Sequence, residues 1–467
     1  MLSSRVVAAD PRRIIRRGIA VSFAMLVTLA LLTLIYPAHA MKIESVKSPG
    51  GIEAWLVSDR SVPLVALRFA FDGGSAQDPA GKEGVANFLS AMLDEGAGDL
   101  KSNAFQERME ELAMRMSFDD AKDEFYGNLE MLNVNREKSV EMLKLALTKP
   151  RFDDEAIDRI KAQLQAGLVY AARDPDKVAS KEWFALAFAG HTYARPASGT
   201  KDTIATINRE DLEAYRKRVF AKSNLKVVVV GDIDKAAVGK MLDDVFGALP
   251  AKAELTPVAK FTLADKGQQK VIEMQVPQSV AVFGTGAIAR KDPDFMAAFI
   301  LNHILGGGGF ASKLMEEVRE KRGLAYSVYS YLQPFRHAAI FAGGVATKNE
   351  SISQSIDVIR GELKRMADQG PSVTDLDNAK KYLIGSYPLR FDTNAKIASQ
   401  LLGILQEDLG IDYVDKRNAL VGAVTLDDLK RVAKRLLRPE SLIVTVVGQP
   451  MNMPNLADVA HPLRGQT

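Results

Sequence analysis

The sequence predicts an α+β protein of two homologous domains, each with a mainly antiparallel sheet that is covered by helices on one face. Two observations support this fold class. The segment 207–231 aligns without a gap with the segment 424–448, which indicates an internal duplication. In each half, strand-like runs are grouped together and helical stripes follow them. A unit that recurs near the end of each half fits two similar domains of about 200 residues.

The duplicated unit consists of a helix followed by a buried strand. Asn208 and Thr425 are candidate N-caps, and Asp211 and Asp428 lie three residues further on, where a capping box needs its second side chain. The valine-rich runs that follow are continuous and do not alternate with polar residues. Such runs are typical of strands that are covered on both faces or lie in the centre of a sheet.

The remaining elements follow from hydrophobic periodicity. Strands are predicted at 51–57, 63–71, 271–276 and 280–286, and helices at 103–116, 295–305 and 352–366. We place the N-terminal domain at 41–246, a linker at 247–267, the C-terminal domain at 268–450 and a tail at 451–467. The linker is rich in Ala, Pro, Lys and Thr, so we expect it to be exposed and without chemistry.

The first 40 residues are typical of a targeting segment. Arginines precede an uncharged apolar run over 18–36, and Ala38-His39-Ala40 is a small-residue cleavage pattern. This predicts a signal peptide and export to the periplasm. Because the apolar run is also just long enough to span a bilayer, a retained N-terminal membrane anchor is the alternative.

Composition excludes several classes of protein. Hydrophobic residues make up 47% of the chain and charged residues 25%, as in soluble globular proteins, and a net charge of +3 gives no indication of nucleic-acid binding. With no cysteine, the chain has neither disulfides nor thiolate metal sites. None of the five histidines lies at a ligand-like spacing from another, so a histidine metal site is not expected.

The stretch 84–96, Gly-Val-Ala-Asn-Phe-Leu-Ser-Ala-Met-Leu-Asp-Glu-Gly, predicts a helix with one buried stripe. It also resembles the metal helix of the insulinase/pitrilysin family of zinc peptidases. That helix carries an inverted H-x-x-E-H motif, in which two histidines hold zinc and the glutamate is the general base. Here Asn87, Ser90 and Ala91 stand at the histidine, glutamate and histidine positions.

None of these three side chains can replace the zinc ligand or the general base found at its position in the family. Alanine has no ligand atom, a neutral amide is a poor zinc ligand, and serine is not a base at neutral pH. The family's third ligand, a glutamate expected at about 155–175, is also missing, because no glutamate lies between Glu155 and Glu182. We therefore expect a metallopeptidase fold without metal in this chain; an unrelated α/β protein with a chance match is the alternative.

A second family feature is intact. The run 306–326 resembles the family's glycine-rich loop and following helix, and Arg319 precedes Tyr326 by the family's interval of seven. The resemblance implies that this pair, with Gly307 and Gly308 of the loop, binds substrate and polarises the scissile carbonyl in an active site whose zinc comes from the other domain. A guanidinium and a phenol are suitable donors for a carbonyl or an oxyanion.

From the residues alone, other interpretations of this run stay open. Arg319 could form a surface ion pair with Glu316 or Glu320, and Tyr326 could simply begin a strand. A phosphate-binding loop is excluded, because the glycines lack the G-x-x-x-x-G-K-[ST] spacing and follow a predicted helix. A loop that allows close backbone approach is sufficient to explain them.

Two further motifs are interpreted structurally. The segment from His191 to Pro196 resembles a family turn of the type His-x-Tyr-x-Arg-Pro, and a structural turn is preferred to a catalytic role because no nucleophile is implied nearby. Asp94 and Glu95 are expected to form a solvated helix end, since adjacent carboxylates point in different directions on a helix.

These observations lead to three hypotheses. The first is a non-catalytic subunit of a periplasmic, processing-peptidase-like heterodimer, inactive alone, whose homologous partner carries H-x-x-E-H and the zinc and whose substrate is a peptide. The second is a scaffold or peptide-binding subunit with no role in chemistry, as in the family's respiratory-complex core proteins. The third is an active peptidase with a relocated metal site.

Overall fold

The N-terminal half of the chain forms a six-stranded sheet in the order β1-β2-β8-β3-β7-β6. Only β2 and β8 are parallel, and every other neighbouring pair is antiparallel. A short ribbon of β4 and β5 pairs separately. The strands are β1 (Glu44–Lys47), β2 (Glu53–Ser58), β3 (Leu64–Asp72), β4 (Gly96–Ala97), β5 (Leu100–Lys101), β6 (Arg115–Asp120), β7 (Glu124–Leu132) and β8 (Leu225–Gly231).

Helices of this half cover one face of the sheet with a large apolar core. They are α1 (Val85–Ser90), α2 (Ser102–Glu111), α3 (Arg136–Thr148), α4 (Asp154–Ala171), α6 (Lys201–Thr206), α7 (Arg209–Val219) and α8 (Lys235–Phe246). The remaining helix, α5 (Pro175–Ala187), packs on the sheet of the other half.

The C-terminal half forms a five-stranded sheet in the order β11-β12-β10-β13-β9, in which only β13 and β9 are parallel. The strands are β9 (Gln268–Glu273), β10 (Gln278–Gly286), β11 (Ala325–Pro334), β12 (Ala339–Lys348) and β13 (Ile443–Gly448). The helices are α9 (Phe295–Asn302), α10 (Ile352–Gln369), α11 (Val373–Gly385), α12 (Asn394–Gln406), α13 (Tyr413–Ala423) and α14 (Leu426–Leu436). Two wide π-helical segments lie at His303–Gly307 and Met315–Glu320.

This computed structural model describes residues 41–451 and 453. The predicted signal segment and nearly all of the predicted tail lie outside the described residues. Within the described part, no helix is both long enough and apolar enough to cross a membrane.

The predicted duplication is visible in both sheets. Helix α7 leads into β8, and α14 leads into β13. Both helices begin with a complete capping box, in which Asn208 or Thr425 bonds the backbone N–H of the aspartate three residues later and that aspartate bonds back. The valines of β8 and β13 are buried, as predicted for strands covered on both faces. The mainly antiparallel α+β class is therefore confirmed.

The second face of each sheet is covered by a helix from the other half of the chain. Helix α5 packs on β10 and β13, and α12 packs on β3 and β8. The Trp183 indole N–H donates to the carbonyl of Ile443 at 3.0 Å, and the amide of Asn394 donates to the carbonyl of Leu64 at 3.3 Å. Because each half completes the core of the other, the halves are mutually dependent.

The segment 247–267 contains no helix or strand, but it is not wholly exposed as predicted. Leu263 is buried in an apolar cluster that also contains Trp183 and Phe188. The ring centroids of Phe261 and Phe188 are 5.4 Å apart, and the backbone N–H of Phe261 donates to the carbonyl of His337 at 2.8 Å. The segment thus helps to pack the halves together. The domain boundaries themselves stay a prediction.

Arg336, in the turn between β11 and β12, joins the halves through polar contacts. Its guanidinium forms two hydrogen bonds of 2.7 Å with the Asp72 carboxylate, and its backbone N–H donates to Asp123 at 3.0 Å. Glu124 lies 3.2 Å from the same guanidinium, and burial raises the pKa of this glutamate to about 7. A planar fork on a carboxylate fixes orientation as well as distance.

The predicted helix at 103–116 is shorter than expected. Helix α2 ends at Glu111, Ala113 has a left-handed φ of 47°, and Met116 lies in β6. The buried stripe that predicted the longer helix is real, since Phe105, Met109, Leu112 and Met116 are all buried, but its last member reaches the core from a strand.

Candidate functional site

The helix that would carry a metal motif is only one and a half turns long. All five predicted stripe residues are buried: Val85, Phe88, Leu89, Met92 and Leu93. Helix α1, however, ends at Ser90, where the expectation was a helix to residue 95. The Ser90 hydroxyl donates to the carbonyl of Asn87 at 2.8 Å, and Met92 N–H bonds Leu89 O three residues back. A serine that competes for helix carbonyls favours this tightening and early end.

The three positions of the lost motif hold a hydrogen-bonded contact. The Asn87 amide donates to Asp120 Oδ1 at 2.9 Å, which ties α1 to the end of β6. Ser90 is bonded to the helix backbone, and Ala91 contributes only a methyl group. Burial raises the pKa of Asp120 to about 6, against the lowering effect of the Asn87 hydrogen bond. Nothing in this arrangement activates a water molecule or a nucleophile.

These side chains do not fit a zinc ion. Zinc sites take imidazole, thiolate or carboxylate ligands in a closed set of three or four. Asn87 offers an amide, Ser90 a committed hydroxyl, and α4, which packs against α1, carries no glutamate beyond the exposed Glu155 in its first turn. Asp120 is a single carboxylate, and no group of three His, Asp or Glu residues in the described part of the chain could hold a metal.

Polar groups at the start of α1 are paired within the fold. Asp78 accepts hydrogen bonds from the backbone N–H groups of Gly84, at 2.8 Å, and Ala86, at 3.0 Å, at the start of the helix. Burial raises the pKa of Asp78 to about 7. Lys122 donates to the carbonyl of Arg195 at 2.6 Å, and burial lowers the pKa of this lysine to about 8. These contacts position α1 and are structural.

The second predicted site brings Arg319 and Tyr326 together. Arg319 lies on the π-helical segment before β11, and Tyr326 is the second residue of that strand. The guanidinium carbon of Arg319 lies 4.8 Å from the Tyr326 ring centroid and also 4.8 Å from that of Phe310. Both rings are largely exposed, at 77% and 72%. The arginine is thus in cation–π contact with two aromatic rings at the surface.

The hydrogen bonds of Arg319 are incomplete. Its Nε lies 3.5 Å from Glu320, an ion pair that the alternative interpretation anticipated, while Glu316 pairs instead with Lys313 and Lys321. Its Nη1 is buried and has no hydrogen-bond acceptor among the described residues. A buried donor without an acceptor is energetically unfavourable.

The glycine-rich loop connects this site to the end of α9. At Gly306, an added Cβ would lie 2.4 Å from Ser330 Oγ, so only glycine allows the loop to pack against β11. Gly309 adopts a left-handed φ of 61°, directly before Phe310. Gly307 is exposed and Gly308 half-buried, and their predicted part in substrate binding stays a prediction.

Two family models match the chain. The model of the insulinase family, peptidase family M16, matches residues 54–201, and that of the peptidase M16 inactive domain matches residues 206–383. A Helicobacter pylori protein named non-peptidase homolog YmxG is 31% identical over 335 residues, which cover 71% of this chain and 77% of that protein. The chain belongs to the peptidase M16 family.

Other similarities extend over most of the chain. The β subunit of the mitochondrial-processing peptidase of Blastocladiella emersonii is 22% identical over 420 residues, 87% of this chain and 89% of that subunit. A crystal structure of a peptidase M16 inactive domain from Pseudomonas fluorescens matches with a TM-score of 0.83 and 28% identity, covering 89% of this chain and 100% of that chain. Together with the lost motif, these similarities support an inactive member of the M16 family.

One residue of the site was missed in the sequence. Phe310 belongs to the run 306–326 but was not predicted as a site residue, yet its ring is one of the two that contact the Arg319 guanidinium. An aromatic side chain directly after four glycines was the available signal, because a large apolar group on an otherwise bare loop is exposed unless it binds something.

The turn from His191 to Pro196 has the structural role that was preferred for it. His191 Nε2 lies 2.9 Å from the carbonyl of Ala259, and the Tyr193 hydroxyl donates to Asp123 at 2.5 Å. The backbone N–H of His337 in turn donates to that hydroxyl at 3.2 Å. These bonds join the turn to both halves of this M16 chain.

The expectation of a solvated helix end at Asp94 and Glu95 was wrong. Both residues are half-buried, and burial raises the pKa of Asp94 to about 6. Glu95 accepts hydrogen bonds from Ser102 and Arg159, so it anchors α2 and α4 to the turn after α1. Because α1 ends early, these carboxylates lie inside the fold and not on a helix end.

Proposed function

We propose that this chain is the non-catalytic subunit of a periplasmic heterodimeric zinc peptidase and supplies Arg319 and Tyr326 to the active site of its partner. One contrast carries the proposal. The side chains that would bind metal are replaced and committed to internal hydrogen bonds, whereas the pair that would bind substrate is intact and has an unused donor. Two exposed rings that hold a half-buried arginine are better explained by a retained binding role than by a complete loss of function.

In this proposal the partner is a homologous M16 chain with an intact H-x-x-E-H motif, which supplies the zinc and the general base. The present chain binds the peptide. Arg319 offers a planar fork of donors, and the Tyr326 hydroxyl adds a further donor from the edge of the five-stranded sheet. Donors placed beside a carbonyl oxygen stabilise the negative charge that develops there during hydrolysis.

The first test measures cleavage of a fluorescence-quenched peptide by this chain, by the H-x-x-E-H chain and by an equimolar mixture. We expect activity from the mixture and little or none from this chain, with zinc recovered only in the partner. Zinc-dependent cleavage by this chain alone would refute the proposal and favour a relocated metal site.

The second test changes the substrate-binding pair in the assembled complex. We expect Arg319→Lys to lower kcat/KM by about 100-fold, because a lysine cannot reproduce the planar fork, and Tyr326→Phe by about 10-fold. Arg108→Lys is the matched control, since Arg108 forms only a surface pair with Glu111. If turnover survives both changes at the pair, the chain is a scaffold or peptide-binding subunit with no role in chemistry.

Export is part of the proposal and rests on the sequence of residues 1–40. Cell fractionation with an antibody to the folded part is expected to find the chain in the periplasmic fraction. Retention in the inner-membrane fraction after a carbonate wash would indicate that the N-terminal segment is kept as an anchor.

A further inference from the structure

The Arg319 guanidinium lies over the ring of Phe310 as well as over that of Tyr326. Both ring centroids lie 4.8 Å from the guanidinium carbon. A guanidinium donates hydrogen bonds only in its own plane, because all its N–H groups lie in that plane, and two rings that contact it restrict how the plane can turn. The stacking therefore determines where a ligand can approach.

The contact also brings an apolar environment to the cation. Phe310 itself is 72% exposed to solvent. The Arg319 side chain is only 27% exposed, because its neighbours, including this ring, cover the rest. A hydrogen bond to a charged donor is stronger where water is partly excluded. The Nη1 of Arg319 is buried and has no acceptor among the described residues. If the guanidinium turned to find one, it would give up its contacts with both rings.

Resting on the proposed function, we propose that Phe310 is a positioning residue of the substrate site: together with Tyr326 it fixes the plane of Arg319 so that the in-plane donors meet an oxygen acceptor of an extended peptide. The acceptor is either a main-chain carbonyl or a terminal carboxylate, since both present oxygens that match the fork. The preceding glycine with left-handed φ places the ring over the arginine.

Peptide binding to the purified full-length chain tests the proposal. The probes are two copies of one fluorescein-labelled, unstructured 20-residue peptide, one with a free C-terminal carboxylate and one amidated, and the readout is fluorescence anisotropy. We expect Phe310→Ala and Phe310→Leu to weaken binding by roughly 2- to 30-fold, the factor that one aromatic–guanidinium contact is worth. Phe310→Trp is expected to stay within about twofold of the wild type, because it keeps a ring.

Leu389→Ala is the matched control, because Leu389 is exposed to the same extent, 72%, and lies on a separate short helix at Tyr387–Arg390. It is expected to leave binding unchanged. Equal binding of both probes assigns the acceptor as a main-chain carbonyl, and binding of the free acid alone assigns it as a carboxylate. The ranking of the variants is expected to be the same for either acceptor.

A second readout does not need the peptide. In ¹⁵N-arginine-labelled protein, the side-chain signals of Arg319, identified by their loss in Arg319→Lys, are expected to show an upfield ring-current shift. That shift should shrink in Phe310→Ala and Phe310→Leu and persist in Phe310→Trp. This pattern would show that the Phe310 ring contacts Arg319 in solution, and the peptide-binding assay then decides whether that contact positions the donors.

The outcomes separate the two proposals. If Arg319→Lys weakens binding while Phe310→Ala does not, Phe310 has no positioning role and the proposed function stands. If the wild-type chain binds neither probe, or if Arg319→Lys binds as well as the wild type, the substrate-binding role of the pair is overturned, and the role of Phe310 with it.

Discussion

Asn87 shows what replaced the metal ligands at the level of single residues. Its amide satisfies one oxygen of Asp120, while the other oxygen is buried and has no partner among the described residues. The contact joins α1 to the last residue of β6. A position that could hold a zinc ligand has thus become part of the internal support of the fold.

Removal of this amide is therefore expected to destabilise the chain. Asn87→Ala should lower the free energy of unfolding by about 1–3 kcal/mol at pH 8, because it leaves the buried Asp120 carboxylate without its amide donor. The loss should be smaller at pH 5, where that carboxyl, with a pKa of about 6, is mostly protonated. Denaturant unfolding at both pH values measures the difference.

Asn128→Ala provides the control for this change. Its amide donates to Ser117 at 3.3 Å between β6 and β7, and that pair is exposed to solvent. We expect a loss of no more than about 0.5 kcal/mol at either pH. A loss for Asn87→Ala that is equal at the two pH values would show that Asp120 is not the group involved.

The loss of the metal motif could be predicted from the sequence, because residue types alone show that the imidazoles and the carboxylate are absent. The contact between Phe310 and Arg319 could not be predicted from residue types. It depends on a left-handed glycine and on a π-helical segment, and neither conformation is specified by residue type alone.

At the level of helices and strands, the sequence correctly predicted features that depend on interactions between residues close together in the chain. The capping boxes at Asn208 and Thr425 and the buried strands β8 and β13 are formed as expected. The early end of α2 was not predictable, since Ala113 takes a left-handed φ that usually belongs to glycine or asparagine. The covering of each sheet by a helix from the other half left no local signal, because the partners are far apart in sequence.

Helix α5 offers a direct test of this exchanged packing. An added Cβ at Gly284 of β10 would lie 2.6 Å from the Trp183 ring and 2.7 Å from the carbonyl oxygen of Phe341. Gly284→Ala should therefore push α5 off the five-stranded sheet and lower the free energy of unfolding by about 1–3 kcal/mol. Denaturant unfolding, followed by tryptophan fluorescence, reports on both the stability and the environment of Trp183.

Gly361→Ala is the matched control for that substitution. Gly361 lies inside α10, and an added Cβ would meet nothing within 4 Å. Because alanine favours a helix over glycine, we expect a gain of about 0.5–1 kcal/mol. If Gly284→Ala were as harmless as Gly361→Ala, α5 would not be packed against β10 as described.

At the level of the whole molecule, the described chain from residue 44 onward forms a single compact unit in which the two halves share both cores. The duplication predicted two similar halves, but not that each depends on the other for one face of its sheet. A chain built in this way has many groups buried between elements, including carboxyl groups that a smaller interface would leave in water.

These carboxyl groups give the stability of the chain an unusual pH dependence. Burial is the main cause that raises the pKa of Asp78 and Glu124 to about 7, and of Asp94 and Asp120 to about 6. Between pH 4 and 7 the folded chain therefore holds protons on these groups that the unfolded chain has released. The stability that they contribute is present at low pH and is lost as the pH rises through the raised pKa values.

His303, His337 and Lys122 act in the opposite direction, because burial lowers the pKa of each of these basic groups. Burial also raises the pKa of Glu407 and Asp176, which adds to the effect of the four carboxyl groups. We expect the melting temperature to fall by roughly 2–6 °C between pH 5 and pH 7.5, and Asp120→Asn to reduce that slope. Circular dichroism melts in buffers of matched ionic strength measure both effects. A melting temperature that rises across this interval would show that these carboxyl groups are hydrated, which would contradict the burial from which the slope is derived.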